Sequence, residues 1–179
     1  SKINNDKVSL DKCKNLMEET WKLFFNKDYN LLQKNISNSN DLFVNPIDIA
    51  DNNIPNGNSM FLLICNKLKN ITNDKSWFEK IDILSKEFNT YINFNFSQMF
   101  SYLKIIHICE ENITISFHGK LKEIEKIKKN ILKDFMGNIS IIYKESEENF
   151  FARVCKNQTC SEKLKTLYDI NDYIQNNLK

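Results

Sequence analysis

The sequence predicts a mixed fold, with a helical part over about residues 8–110 and a small α/β unit over about 111–179. Two changes of pattern carry this reading. Up to Cys109, apolar residues recur every three to four positions, as they do on the buried face of a helix. From Ile113 the period becomes two: Ile113, Ile115 and Phe117 alternate with Thr114 and Ser116, the pattern of a half-buried strand. An amphipathic stretch at 120–135 then separates two strand-like runs, and a strand, a helix of that length and a strand make a right-handed crossover between parallel strands.

In chain order, the first seven residues are polar. Ser9 is suited to cap a helix running to about Asn26, with Leu10, Cys13, Leu16/Met17, Trp21 and Phe24 as its apolar stripe. Tyr29 to Leu32 is too short to assign. Residues 34–58 hold both prolines and one glycine and read as a long ordered loop anchored by Leu42-Phe43-Val44 and by Ile47 and Ile49. A connection of that length is uncommon and often functional. A second helix is expected from about Ser59 to Asn70 (Met60, Leu63/Ile64, Leu68). A third is expected from about Lys75 to Phe88 (Trp77/Phe78, Ile81, Leu84, Phe88). The short link between them makes an antiparallel hairpin. A fourth, from about Phe96 to Cys109, is apolar around most of its circumference and wants cover on more than one side, which suits a piece of a larger helical assembly. In the α/β part, Gly119 allows the turn after the first strand. Leu121, Ile124, Ile127, Ile131 and Phe135 face inward on the next helix, and Gly137 ends it. Strands are expected at 139–143 and 150–155, with two short helical pieces near 161–167 and 169–178.

The chain has 179 residues, with 25 Lys+Arg against 23 Asp+Glu and a formal net charge of +2. So weak a bias, with both signs interleaved, does not predict nucleic-acid binding. No run approaches the roughly 18 apolar residues of a membrane span, and there is no signal-peptide pattern at the start, so no membrane partner is expected. The five cysteines are dispersed and odd in number, which points to a reducing, cytoplasmic compartment. Arginine occurs once, at Arg153, beside abundant Lys, Asn and Ile. That composition reflects drift toward A/T-rich codons, so the many Asn residues carry little weight as turn or sugar-binding signals.

Two segments carry a resemblance. Asp51-Asn52-Asn53-Ile54-Pro55-Asn56-Gly57-Asn58-Ser59, ahead of an apolar helix, resembles a "DN-x-x-P-S-G-N-S" segment. Ala152-Arg153-Val154-Cys155-Lys156-Asn157-Gln158-Thr159-Cys160 resembles "A-Y-V-C-x-N-x-T-C" near a C-terminus. Both belong, in this order and at this spacing, to a family with a thioredoxin-like domain followed by a six-hairpin (α/α) toroid, whose animal member is spermatogenesis-associated protein 20. Its toroid is similar to those of N-acylglucosamine 2-epimerases and six-hairpin glycosidases. Asn56 stands where the family has serine, and the proline expected after the second cysteine is missing from Ser161-Glu162-Lys163-Leu164. The resemblance implies that 8–110 is a partial toroid and that the chain matches only about the last quarter of a typical member. The expected partners are the remaining hairpins and a thioredoxin-like domain, in the same chain or another. A small carbohydrate would be acted on, by epimerisation or hydrolysis, only in the completed ring. No cofactor is implied.

Candidate sites follow. Asp51, Asn52 and Asn58 would lie at the mouth of a toroid cavity, where a carboxylate orients a sugar hydroxyl or acts as acid or base. The competing reading is a rigid, capped loop whose polar side chains satisfy backbone groups, with Pro55 stiffening it, Gly57 giving a tight or left-handed backbone, and Asn58 or Ser59 capping the helix. Cys155 and Cys160 are open to three readings: separate thiols, a disulfide or redox pair, or half of a metal site. His107 is expected to pack within its helix, and His118, at a strand end, to be structural. The alternative to an enzyme segment is a non-catalytic structural or interaction subunit. An incomplete ring predicts bare apolar surface on the helices at 8–26 and 96–109.

Overall fold

The computed structural model describes residues 7–36, 46–120, 122, 124–127, 130, 139–156 and 159–177. The chain divides into two compact units, Asp6–Cys109 and Glu110–Lys179. Several helices are followed by a small mixed sheet containing a strand–helix–strand connection, the architecture expected from the change in period. The anchor Leu42-Phe43-Val44, most of the residues of the helix expected at 120–135 and the Gly137 expected to end it, and Asn157 and Gln158 lie outside the described residues.

In the helical unit, α1 (Lys7–Phe24) starts before Ser9, so Ser9 lies within the helix and does not cap it. Met17 is buried, and Leu10, Cys13, Trp21 and Phe24 pack against the core, while Leu16 faces outward. A minimal hairpin of β1 (Phe25–Asn26) and β2 (Leu31–Leu32) follows, turned by Asn30 in the left-handed region at φ 53°. Helix α2 (Gly57–Thr72) begins two residues earlier than expected because Asn56 is its cap. Its buried side is Phe61, Leu62, Cys65 and Leu68, with Met60 exposed. The stripe is offset from the one expected because the helix is apolar on several sides, which leaves the phase of its pattern unfixed.

Asn73, left-handed at φ 53°, ends α2 and donates its N–H to Lys69 O, and Asp74 caps the next helix through Ser76 N. Helix α3 (Lys75–Asn95) buries Trp77, Lys80, Leu84 and Phe88. Lys80 is the unexpected member. Its ammonium lies 2.9 Å from Glu18 Oε1 on α1 and over the Trp77 ring at 4.8 Å, so a lysine replaces an apolar residue on the inner face by pairing its charge. The expected fourth helix divides into a 3-10 turn at Phe96–Gln98 and α4 (Phe100–Glu110). Tyr102 on α4 stacks on Phe88 at 4.4 Å between centroids and donates to Asn89 Oδ1 at 2.9 Å, which fixes α4 on α3.

In the second unit, β3 (Ile113–Gly119) pairs in parallel with β4 (Ile139–Glu145) and antiparallel with β5 (Phe151–Lys156), and β6 (Thr159–Cys160) edges β5, giving the order β4-β3-β5-β6. Residues 122, 124–127 and 130 of the β3–β4 connection are helical. One face of the sheet, with Ile113, Ile115, Phe117, Ala152 and Val154, packs against Ile124 and against Ile170 and Ile174 of α5 (Leu167–Asn177). The two C-terminal helical pieces expected are in fact one helix. Residues 161–166 before it are not helical, and Ala152 and Leu164 exchange both backbone hydrogen bonds at 2.7 and 2.9 Å. Gly119 has φ 134°, and a Cβ there would meet Phe150 Cα at 3.1 Å, so this position requires glycine.

Candidate functional site

The polar loop ahead of α2 is organised by three side chains. Asn56 Oδ1 accepts from Ser59 N at 2.8 Å as the α2 cap, and its Nδ2 donates to Ile49 O at 3.0 Å and Asp51 Oδ1 at 3.1 Å. Asp51 Oδ1 also accepts from Asn56 N at 3.0 Å, and Oδ2 accepts from Ser101 N at 2.6 Å. Ser101 is the second residue of α4, so Asp51 supplies an acceptor to the N-terminus of that helix, with its negative charge at the positive end. Its own N–H donates to Gln98 O at 2.6 Å. Burial pushes the Asp51 carboxyl upward, but the hydrogen bonds from Ser101 and Asn56 together outweigh it and hold the group below its ordinary value.

Asn58 works on the other side of the loop. It is 3 % exposed. Its Oδ1 accepts from Leu32 N at 2.7 Å, and its Nδ2 donates to Leu32 O at 2.8 Å and Asp48 O at 3.2 Å. A side-chain amide thus pairs both backbone groups of a residue in β2, as a neighbouring strand would. Asn52 is exposed. Asp51 and Asn58 are therefore engaged with backbone groups at opposite ends of one loop, while Asn52 faces solvent.

Asn56 is the residue that sequence reasoning passed over as a cap, although an Asn directly after Pro and ahead of an apolar run is an N-cap signal. Neither Asn58 nor Ser59 caps α2, in contrast to expectation. Gly57, expected to give a tight or left-handed backbone, is not left-handed, and nothing lies within 4 Å of the point a Cβ would occupy; it is the first helical residue.

In the second unit, Cys155 on β5 and Cys160 on β6 are register partners and their sulfurs are bonded. Cys13, Cys65 and Cys109 carry thiols, and burial pushes that of Cys65 up to about 12. His107 is exposed on α4, contrary to the packed position expected. His118 stacks on Phe151 at 4.3 Å between centroids, and its pKa is lowered by burial first and then by Lys144 and Arg153. Among the described residues, no group of three or more His, Cys, Asp or Glu is placed to hold a metal ion, and no helix is long and apolar enough to cross a membrane.

Apolar side chains are bare at the α3–α4 corner: Phe94 is 86 % exposed, Phe100 64 % and Phe96 63 %, and Leu103 is also exposed. Val8 and Leu16 are exposed on α1.

Compared with known proteins, the chain matches no family model. No curated protein matches it either.

Proposed function

We propose that residues 8–110 form a non-catalytic packing segment of a larger helical assembly, with 111–179 as its α/β companion. The observation that carries this is the use of Asp51: both carboxylate oxygens accept hydrogen bonds, and one of them caps α4. A catalytic acid or base needs an oxygen that reaches a substrate proton, and both oxygens of this carboxylate are already engaged, by Asn56 and by Ser101 N. Asn58 is equally committed, to Leu32 and Asp48. The bare phenylalanines at the α3–α4 corner support the assembly half of the reading, because isolated domains rarely leave several large aromatics uncovered together.

The motifs at 51–59 and 152–160 favour the six-hairpin toroid of the thioredoxin-domain family as that assembly. In the completed ring, any carbohydrate chemistry would draw its reacting groups from other hairpins, with this loop holding α2 and α4 in place. The test is a titration of the isotope-labelled chain with hexoses and N-acylated hexosamines, followed by amide chemical shifts. The expected result is no saturable shift at Asp51, Asn52, Asn58 or Ser101. Saturable shifts confined to those residues would establish a sugar site and overturn the non-catalytic reading.

A further inference from the structure

The Cys155–Cys160 bond lies on the outermost strand of its sheet. Thr159 and Cys160 are all there is of β6, and Cys160 is exposed while Cys155 is half-buried. Ser161 N donates to Val154 O at 2.8 Å, so the adjacent Cys155–Cys160 pair falls at a non-hydrogen-bonded position, where facing side chains come closest.

The sheet edge is held by bonds other than this one. The hairpin base is fixed independently by Ser161, whose N–H bonds Val154 O and whose Oγ accepts from Val154 N at 3.0 Å, and by the paired Ala152 and Leu164. The bond also closes a loop of only four intervening residues, the case in which cross-linking restrains the unfolded chain least. It is therefore a poor staple. Arg153, the only arginine, shares the sheet face of Cys155 two positions along β5, is exposed, and has no carboxylate partner among the described residues. A cation there favours a thiolate on Cys155.

We propose that Cys155–Cys160 is a thiol–disulfide exchange site for a dithiol, with Cys160 the sulfur attacked and Cys155 the leaving group. The inference does not depend on the toroid reading. A thiolate of the dithiol attacks Cys160 Sγ. The intramolecular S–S bond breaks, its electron pair stays on Cys155 Sγ, and that thiolate takes up a proton. The second thiol of the dithiol, once deprotonated, attacks its own partner sulfur in the mixed disulfide and expels Cys160 as a thiolate, which is protonated in turn. The protein has gained two electrons and two protons, and the dithiol has become a disulfide.

The test is reduction of the folded, air-oxidised chain by dithiothreitol, followed by timed alkylation, mass spectrometry and near-UV circular dichroism. The expected result is a gain of two thiols, at Cys155 and Cys160, within minutes and with an unchanged dichroism spectrum. Arg153→Ala should slow the reduction by about 2- to 5-fold through a poorer leaving group. A pulse of reduced glutathione on the oxidised wild type, quenched with acid, should leave the mixed disulfide at least about 5-fold more often on Cys160 than on Cys155, since attack follows access and the better leaving thiolate departs. Reduction only at denaturant concentrations that unfold the sheet, or no disulfide in the air-oxidised chain, would overturn the proposal. A mixed disulfide mainly on Cys155 would overturn the assignment of roles. If Arg153→Ala does not fold, the wild-type rate and the site of the mixed disulfide decide alone.

Discussion

Asn58→Ala probes the loop most sharply. Asn58 is buried, and its amide holds both backbone groups of Leu32 at 2.7 and 2.8 Å and the carbonyl of Asp48 at 3.2 Å. Alanine removes all three bonds and leaves a cavity with the Leu32 N–H and C=O facing it. Each buried group left unpaired costs about 1–3 kcal/mol. Two such groups, partly relieved by relaxation, give a loss of about 2–4 kcal/mol, a large share of the roughly 5–15 kcal/mol that holds a domain folded. At about 4–8 °C per kcal/mol for a unit of this size, the melting temperature falls by roughly 8–32 °C. Trp21 and Trp77 are the chain's two tryptophans and both lie in the helical unit, so urea unfolding followed by tryptophan fluorescence reports this unit directly. The midpoint should move with an unchanged slope. Asn58→Asp keeps an acceptor for Leu32 N but sets a carboxylate against two carbonyls, so it should destabilise at least as much. A loss below about 0.5 kcal/mol in both variants, the size of an ordinary surface substitution, would refute the reasoning.

Three further outcomes follow from the same geometry. Gly57→Ala should stabilise by about 0.4–1 kcal/mol in thermal melts, because the first turn of α2 has room for a Cβ and the unfolded chain loses freedom. Gly119→Ala should cost about 1–3 kcal/mol in the same assay, from strain at φ 134° and the approach to Phe150. Hydrogen bonds depress the Asp51 carboxyl in the folded state, so its contribution is complete above the unfolded value of about 4 and is lost as pH falls through the lower folded value. Acid titration of stability should therefore be shallower below pH of about 4 in Asp51→Asn than in the wild type.

The order of elements is legible in the sequence because periodicity is a local signal: the three-to-four spacing of α1 and α3 and the alternation of β3 each reflect one buried face. Phase and ends are harder to read. The stripe of α2 is ambiguous because an apolar helix has no unique inner side, and its start is hidden because the cap is a side-chain bond from Asn56. Lys80 is invisible as a core residue, since only tertiary contact with Glu18 and Trp77 makes its burial tolerable. β6 cannot be foreseen from two polar-flanked residues; it exists by pairing with β5. The 51–59 segment stands out as polar and constrained, but its composition does not distinguish a site that binds ligand from one that binds backbone. That distinction rests on Leu32 and Ser101, which lie 26 and 50 residues from their partners Asn58 and Asp51.

Native-state amide hydrogen exchange tests most directly whether Asp51 and Asn58 hold backbone together. The N–H groups of Leu32 and Ser101 should be protected to nearly the level of the α2–α3 core, and should lose that protection selectively in Asn58→Ala and Asp51→Ala respectively. Exchange of both amides in the wild type at the rate of an open loop would contradict this, and would return the two side chains to the groups available to a ligand.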